Sequence, residues 1–190
     1  DIKNLPEIAK VINQVREIRL KSSRPQLAEI PHLFAQITQP ENVNLLIIPR
    51  VSSENREYLP IDLLDGSIYK VTDSYFTIAT NEPYLFGVIN SKMHMVWVHN
   101  IGGRLETRIQ SSKTLCYNTF PFPPISIKQK EIINQYVFAI LDERAKFPQK
   151  TMAWLYNPET MPKDLLKAHQ ELDQAIERIY RIQAFTSDAE

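Results

Sequence analysis

The amino-acid sequence predicts an α+β chain: a small mixed sheet with a packed helix, followed by an antiparallel helical hairpin. Three observations carry this. Short runs rich in β-branched and aromatic residues lie between positions 44 and 118, bounded by turn-forming residues. The stiff segment Phe120-Pro-Phe-Pro-Pro124 closes that region, since it fits neither a helix interior nor a central strand. Beyond it, apolar residues recur at helical spacing as far as Ile179.

Taken in order, Ile8, Val11, Ile12, Val15 and Ile18 predict a helix over residues 6–20, with Pro6 suited to its first turn. The polar stretch 21–25 ends it, and a short helix or turn follows over residues 26–34. Leu45-Leu-Ile-Ile48 is an unbroken apolar run between Asn44 and Pro49, the mark of a strand buried on both faces. Residues 67–71 and 75–79 read as two more strands. A helix is predicted over 83–99, with Leu85, Phe86, Ile89, Met93, Val96 and Trp97 as its apolar side and Gly102-Gly103 as its stop. Strands over 104–110 and 114–118 complete the sheet. After the proline segment, Ile133, Val137, Ile140 and Leu141 mark one helix that ends before Pro148. Pro162 opens another, whose Leu165, His169, Leu172, Ile176 and Ile179 form a coiled-coil-like seam. Residues after Phe185 read as a frayed end. The implied division is a connecting helix and linker over 1–26, a sheet-bearing domain over 27–124, and a C-terminal helical region over 125–190.

Composition narrows the function classes. The 190 residues hold 22 Lys plus Arg and 22 Asp plus Glu, so the chain is not the basic protein that non-specific phosphate binding favours. A locally basic face remains compatible with neutrality. A single cysteine, Cys116, allows no internal disulfide and fits a reducing compartment; it reads as a small buried hydrophobe. No apolar run approaches membrane-spanning length, and no signal peptide is evident. The start at Asp1, directly inside helical sequence, reads as a piece of a longer protein.

Chemistry-bearing motifs are sparse. Four glycines and no glycine-rich loop after a strand leave no nucleotide or S-adenosylmethionine site of the usual kind, so no cofactor is expected in this fragment. His94 and His99 are five apart, poor spacing for a metal pair on a helix, and no acidic residue or cysteine completes a set. His169 reads as a polar member of the helical seam. The exception is Arg104-Leu-Glu-Thr-Arg-Ile-Gln110. Strand alternation would place Arg104, Glu106, Arg108 and Gln110 on one face, and these groups can read base edges. By pattern alone the same row also describes a solvated face with internal Arg–Glu pairing. Arg50, Ser52, Ser53 and Arg56 supply guanidinium and hydroxyl groups suited to phosphates, as Lys92 and Lys113 supply ammonium groups.

Several longer runs point to one family. Tyr84-Leu-Phe-Gly-Val-Ile-Asn-Ser-Lys-Met-His-Met-Val-Trp-Val98, Gly103-Arg-Leu-Glu-Thr-Arg108 and Cys116-Tyr-Asn-Thr-Phe-Pro-Phe-Pro123 occur in that order. Ile48-Pro-Arg-Val-Ser-Ser53 precedes them, and Leu141-Asp-Glu-Arg144, Leu155-Tyr-Asn-Pro158 and Met161-Pro-Lys-Asp-Leu-Leu-Lys-Ala-His169 follow. Together they resemble the MmeI-like DNA methyltransferases of restriction–modification systems, over about residues 27 to 180. The resemblance implies a DNA target-recognition domain and C-terminal helical region, with S-adenosylmethionine and adenine-N6 chemistry in a methyltransferase domain of the same parent chain. It implies double-stranded DNA as partner, no membrane, and a prokaryotic cytoplasmic setting. It also implies base reading at Glu106 and Arg108, with Gln110 beside them and a further specificity position near Ser74. Arg50, Ser52, Ser53, Arg56, Arg104 and Lys113 would then contact the DNA backbone. The family's catalytic Asn-Pro-Pro-aromatic motif has no match here, since Asn118-Thr-Phe-Pro121 misplaces its prolines. The alternative is a helical interaction module in which the seam of the last helix docks a partner protein.

Overall fold

A computed structural model of the chain describes residues 5–36 and 39–190. The chain forms two compact units, Asp1–Gln39 and Pro40–Glu190. In the first, α1 (Pro6–Leu20) is followed by a short 3-10 helix, Pro25–Glu29. Arg19, in the last turn of α1, donates to the carbonyls of Leu27, Ile30 and Leu33 at 3.1, 2.7 and 2.7 Å. One guanidinium thus gathers three carbonyls from the end of the 3-10 helix and the turn beyond it.

The second unit holds two antiparallel three-stranded sheets where the sequence predicts one mixed sheet; the α+β class stands. The first has β1 (Asn44–Pro49) at its centre, between β3 (Asp62–Asp65) and β4 (Tyr75–Ala79). The second has β6 (Arg108–Gln110) between β2 (Val51–Ser52) and β5 (Gly103–Leu105). The chain passes from one sheet to the other at Arg50. Its N–H donates to Ser74 O at 3.0 Å and its carbonyl accepts from Ser111 N at 2.8 Å.

Four predicted elements differ. Residues 67–71 are not a strand, because Asp65 accepts from both the backbone N–H and the hydroxyl of Ser67, at 2.8 and 2.6 Å, and turns the chain. The helix predicted over 83–99 is two, α2 (Pro83–Ile89) and α3 (Lys92–Ile101). Ser91 breaks it: its hydroxyl accepts from His94 N as an N-cap, a polar signal inside a continuous apolar period. Residues 113–117 form a π-helical turn rather than a strand, with Ser112 O accepting from Cys116 N at 2.7 Å and Tyr117 N at 3.3 Å. The fourth, residues 104–110, is a hairpin, described below.

The C-terminal segment gives α4 (Ile127–Ala145), the single turn α5 (Met152–Leu155) and α6 (Lys163–Tyr180). Ser126 and Gln129 form a reciprocal capping box at the start of α4. α4 buries Ile133, Val137, Ile140 and Arg144, and α6 buries Leu165, Leu172 and Ile176. They share one cluster with Phe86, Val88 and Ile89 of α2 and with Leu46 and Ile48 of β1, so the core is continuous across residue 125. Gly87 lets α2 approach: a Cβ there would lie 2.6 Å from Ile133 and 3.0 Å from Val137. The seam of α6 is therefore used within the chain, with Leu165, Leu172 and Ile176 fully buried. That removes the feature on which a partner-docking helix rested.

A polar chain threads this core. Arg144 donates to Ile61 O at 3.0 Å, lies 3.4 Å from Asp62 Oδ1, and donates to the Tyr156 hydroxyl. The Tyr156 hydroxyl meets His169 Nε2 at 2.9 Å, and the His169 ring stacks on Tyr58 at 4.3 Å. Tyr58 donates to Asp173 Oδ2 at 2.6 Å, whose other oxygen accepts from Lys92 N at 2.7 Å, the first turn of α3. Burial pushes His169 well below the ordinary histidine range, which fits a neutral ring accepting from Tyr156. Burial raises Asp173 to about 6.

Candidate nucleic-acid interface

The stretch expected to form one strand folds back on itself. Leu105 pairs with Arg108 and Arg104 with Ile109, leaving Glu106 and Thr107 as a two-residue turn. Glu106 takes φ 59°, the left-handed region that glycine prefers. Directly opposed residues share a face. Arg108 and Gln110 therefore lie on the outer face with Leu105 and Gly103. Arg104 lies on the inner one with buried Ile109 and Ser52. The single row of Arg104, Glu106, Arg108 and Gln110 is thus corrected: the turn splits it.

The hairpin still gathers much of the expected chemistry. Arg108 Nη2 pairs with Glu106 Oε2 at 2.8 Å, both side chains exposed. Glu54 joins them from the turn after β2. The Thr107 hydroxyl, its own backbone N–H and then Arg108 hold its carboxyl below the usual range. Arg104 donates to His99 O at 2.9 Å and to Gly103 O, satisfying the carbonyl end of α3 and fixing the hairpin to that helix. Ser52 is 2% exposed, and its hydroxyl accepts from Arg56 at 3.1 Å, so it orients that guanidinium rather than facing solvent. Ser53 shapes the same turn by accepting from Asn55 N and Arg56 N.

Ser74 is exposed, just before β4, and its carbonyl is the acceptor for Arg50 N. The Arg50 guanidinium sits 4.7 Å over the Phe76 ring. Arg50, Phe76, Gly103, Gln110 and Leu115 line a notch of about 330 Å³ at the junction of the two sheets. Lys113 is exposed at the start of the π-helical turn. Glu54, Phe76 and Leu115 carry no sequence signal that sets them apart; only the pairing of distant strands brings them here. His94, expected to bind no metal, lies edge-on to Phe120 at 4.8 Å, and burial lowers it to about 4. Cys116 is buried, which raises its thiol.

A family model described as the MmeI target recognition domain matches residues 1–124, and one described as the MmeI C-terminal domain matches residues 125–190. The chain belongs to the MmeI family. It is 40% identical over 192 residues to DNA methyltransferase A of Bacillus subtilis (strain 168), covering 100% of this chain and 22% of that protein. It is also similar to a solved structure of the Type IIL restriction-modification enzyme MmeI in complex with DNA. The TM-score is 0.88 at 40% identity, over 99% of this chain and 25% of that one. The chain thus spans a quarter or less of the length of these relatives. As an MmeI target-recognition chain, it presents at one sheet junction an outward hairpin, an arginine-bearing turn and the Arg50 guanidinium over Phe76.

Proposed function

We propose that this chain reads a specific sequence in double-stranded DNA for an S-adenosylmethionine-dependent adenine-N6 methyltransferase of a restriction–modification system. The catalytic domain would belong to the same parent chain, in a prokaryotic cytoplasm. The observation that carries this reading is the exposed β5–β6 hairpin, with Glu106, Arg108 and Gln110 projecting from a sheet junction that also holds Ser74. An amide, a guanidinium and a carboxylate are the groups that discriminate base edges in the major groove. The likeness to an enzyme solved with DNA supports it. Arg56, oriented by Ser52, and Lys113 are suited to phosphates on either side.

S-adenosylmethionine would be held by the parent's methyltransferase domain; in this chain the cavity beside His94 and Cys116, about 110 Å³, has no carboxylate in its lining. Among the described residues no helix is long and apolar enough to cross a membrane.

The test is to replace Glu106 and Arg108 together in the full-length protein and map methylated positions in exposed DNA. The reading requires a changed target at one base pair. An unchanged target would sink it.

A further inference from the structure

Four arginines surround the sheet junction, and three are already engaged. Arg104 serves the end of α3, Arg56 bonds Ser52, and Arg108 pairs with Glu106. Among the described residues the Arg50 guanidinium has neither a carboxylate nor a hydrogen-bond acceptor, and its side chain is exposed. Its backbone is nevertheless fixed. The backbone is tied to one sheet through Ser74 O and to the other through Ser111 N, and the guanidinium rests on Phe76. A fork of donors resting on an aromatic ring and left open is suited to bidentate base recognition.

The notch around it is poorly suited to a phosphate. Arg50 is its only cation among the lining residues, and Phe76 and Leu115 contribute apolar surface, with Leu115 51% exposed. The backbone N–H groups of Ser111 and Ser112 are already spent, on Arg50 O and on Cys116 Sγ. Phosphate sites gather several converging donors, often backbone N–H groups. A planar base edge instead calls for a donor fork, a neighbouring amide and apolar flanks. Gln110 supplies the amide: its Oε1 packs against Gly103, where a Cβ would come within 3.2 Å.

We propose that Arg50 is a specificity-determining residue, reading the O6 and N7 edge of a guanine adjacent to the base pair that Gln110 meets, rather than a phosphate anchor. This rests on the reading that the β5–β6 hairpin faces DNA bases. The route is the paired donation of two guanidinium N–H groups.

The experiment compares Arg50→Lys, Arg50→Gln and the Glu106/Arg108 double replacement in the full-length protein. Thermal melting checks each fold, and methylated positions are mapped in a pool of random duplexes. Lys keeps the charge and loses the fork, so it separates the two roles. A base reader predicts that both Arg50 variants relax one guanine position by about 10- to 100-fold, leaving the other positions as they were. A phosphate anchor predicts an unchanged target sequence, weaker methylation of all sites with Gln, recovery with Lys, and a shallower salt dependence. That outcome, or no effect of either variant on the target, overturns the proposal. If the Glu106/Arg108 replacement also leaves the target unchanged, the hairpin reading itself fails. A shift there with an unmoved target in the Arg50 variants defeats the Arg50 assignment alone.

Discussion

Arg144 and Arg108 are each paired with a carboxylate in this chain, under opposite conditions. Arg108 meets Glu106 at 2.8 Å with 46% and 76% of the two side chains exposed. Arg144 lies 3.4 Å from Asp62, with its side chain 7% exposed and further donors committed to Ile61 O and Tyr156. The shorter pair is the weaker one. Water screens Arg108 and can replace Glu106, so the pair contributes about 0–1 kcal/mol. Removing Arg144 would leave the Ile61 carbonyl without this donor and would take one partner each from the buried Tyr156 hydroxyl and the partly exposed Asp62 carboxylate. The difference teaches that the polar groups of the core hold the helices to the sheet, while those of the hairpin are left exchangeable and can trade their internal partner for another.

The largest break in this contrast should come from Arg144→Leu. Urea unfolding is expected to show a loss of about 3 kcal/mol or more, from buried groups left unpaired. A loss under 1 kcal/mol would mean that the network is incidental to stability. Gly87→Ala comes next. Its methyl would meet Ile133 and Val137, and overpacking of this kind costs about 1–3 kcal/mol. The same unfolding measurement reads it, and a neutral result would show that α2 can move off α4 freely.

A third prediction concerns acid. His94 is lowered to about 4, so its contribution is fully present above the unfolded value near 6.5 and is lost as pH falls through 4; His169 acts in the same direction. Asp173 is raised to about 6, so its contribution is present below the unfolded value near 3.8 and is lost as pH rises through 6. Two histidines thus oppose one aspartate. Stability should fall between pH 6.5 and 4, and Asp173→Asn should steepen that fall by removing the opposing group. Unfolding midpoints at several pH values check this; a shallower slope in the variant would contradict the assignment. The smallest stability effect is expected at the hairpin. Glu106→Ala with Arg108→Ala should change stability by about 1 kcal/mol or less, while altering the DNA target of the full-length protein. A large stability loss there would erase the distinction between the two regions.

Legibility in the sequence follows the range of the interactions involved. The unbroken run Leu45–Ile48 announces a strand buried on both faces, and β1 is the central strand of its sheet. The period of Ile133, Val137 and Ile140 predicts the buried face of α4, where Arg144 occupies the next turn without an apolar signal. Misreadings arise where a short polar side chain intervenes. Ser91 caps a new helix, Ser112 nucleates a π-helical turn, and Asp65 bends the chain. The candidate site was legible as a set of residue types around 104–110 and 50–56, but not as a surface. Alternation alone cannot show that Glu106 occupies a turn, that Arg104 serves α3, or that Ser52 is buried.

The sequence by itself determined the α+β class, the helical C-terminal segment, and the chemical groups available for reading DNA. Those properties follow from residue type and local period, which act over a few neighbours. Only the tertiary structure decided which of the four arginines at the sheet junction are engaged by the described residues and which is left open. Arg50 lies 60 residues from Gln110 in the chain, yet antiparallel pairing of Val51 with Gln110 brings the two into one notch. Such a meeting depends on strand register, set by the whole core rather than by any segment of it.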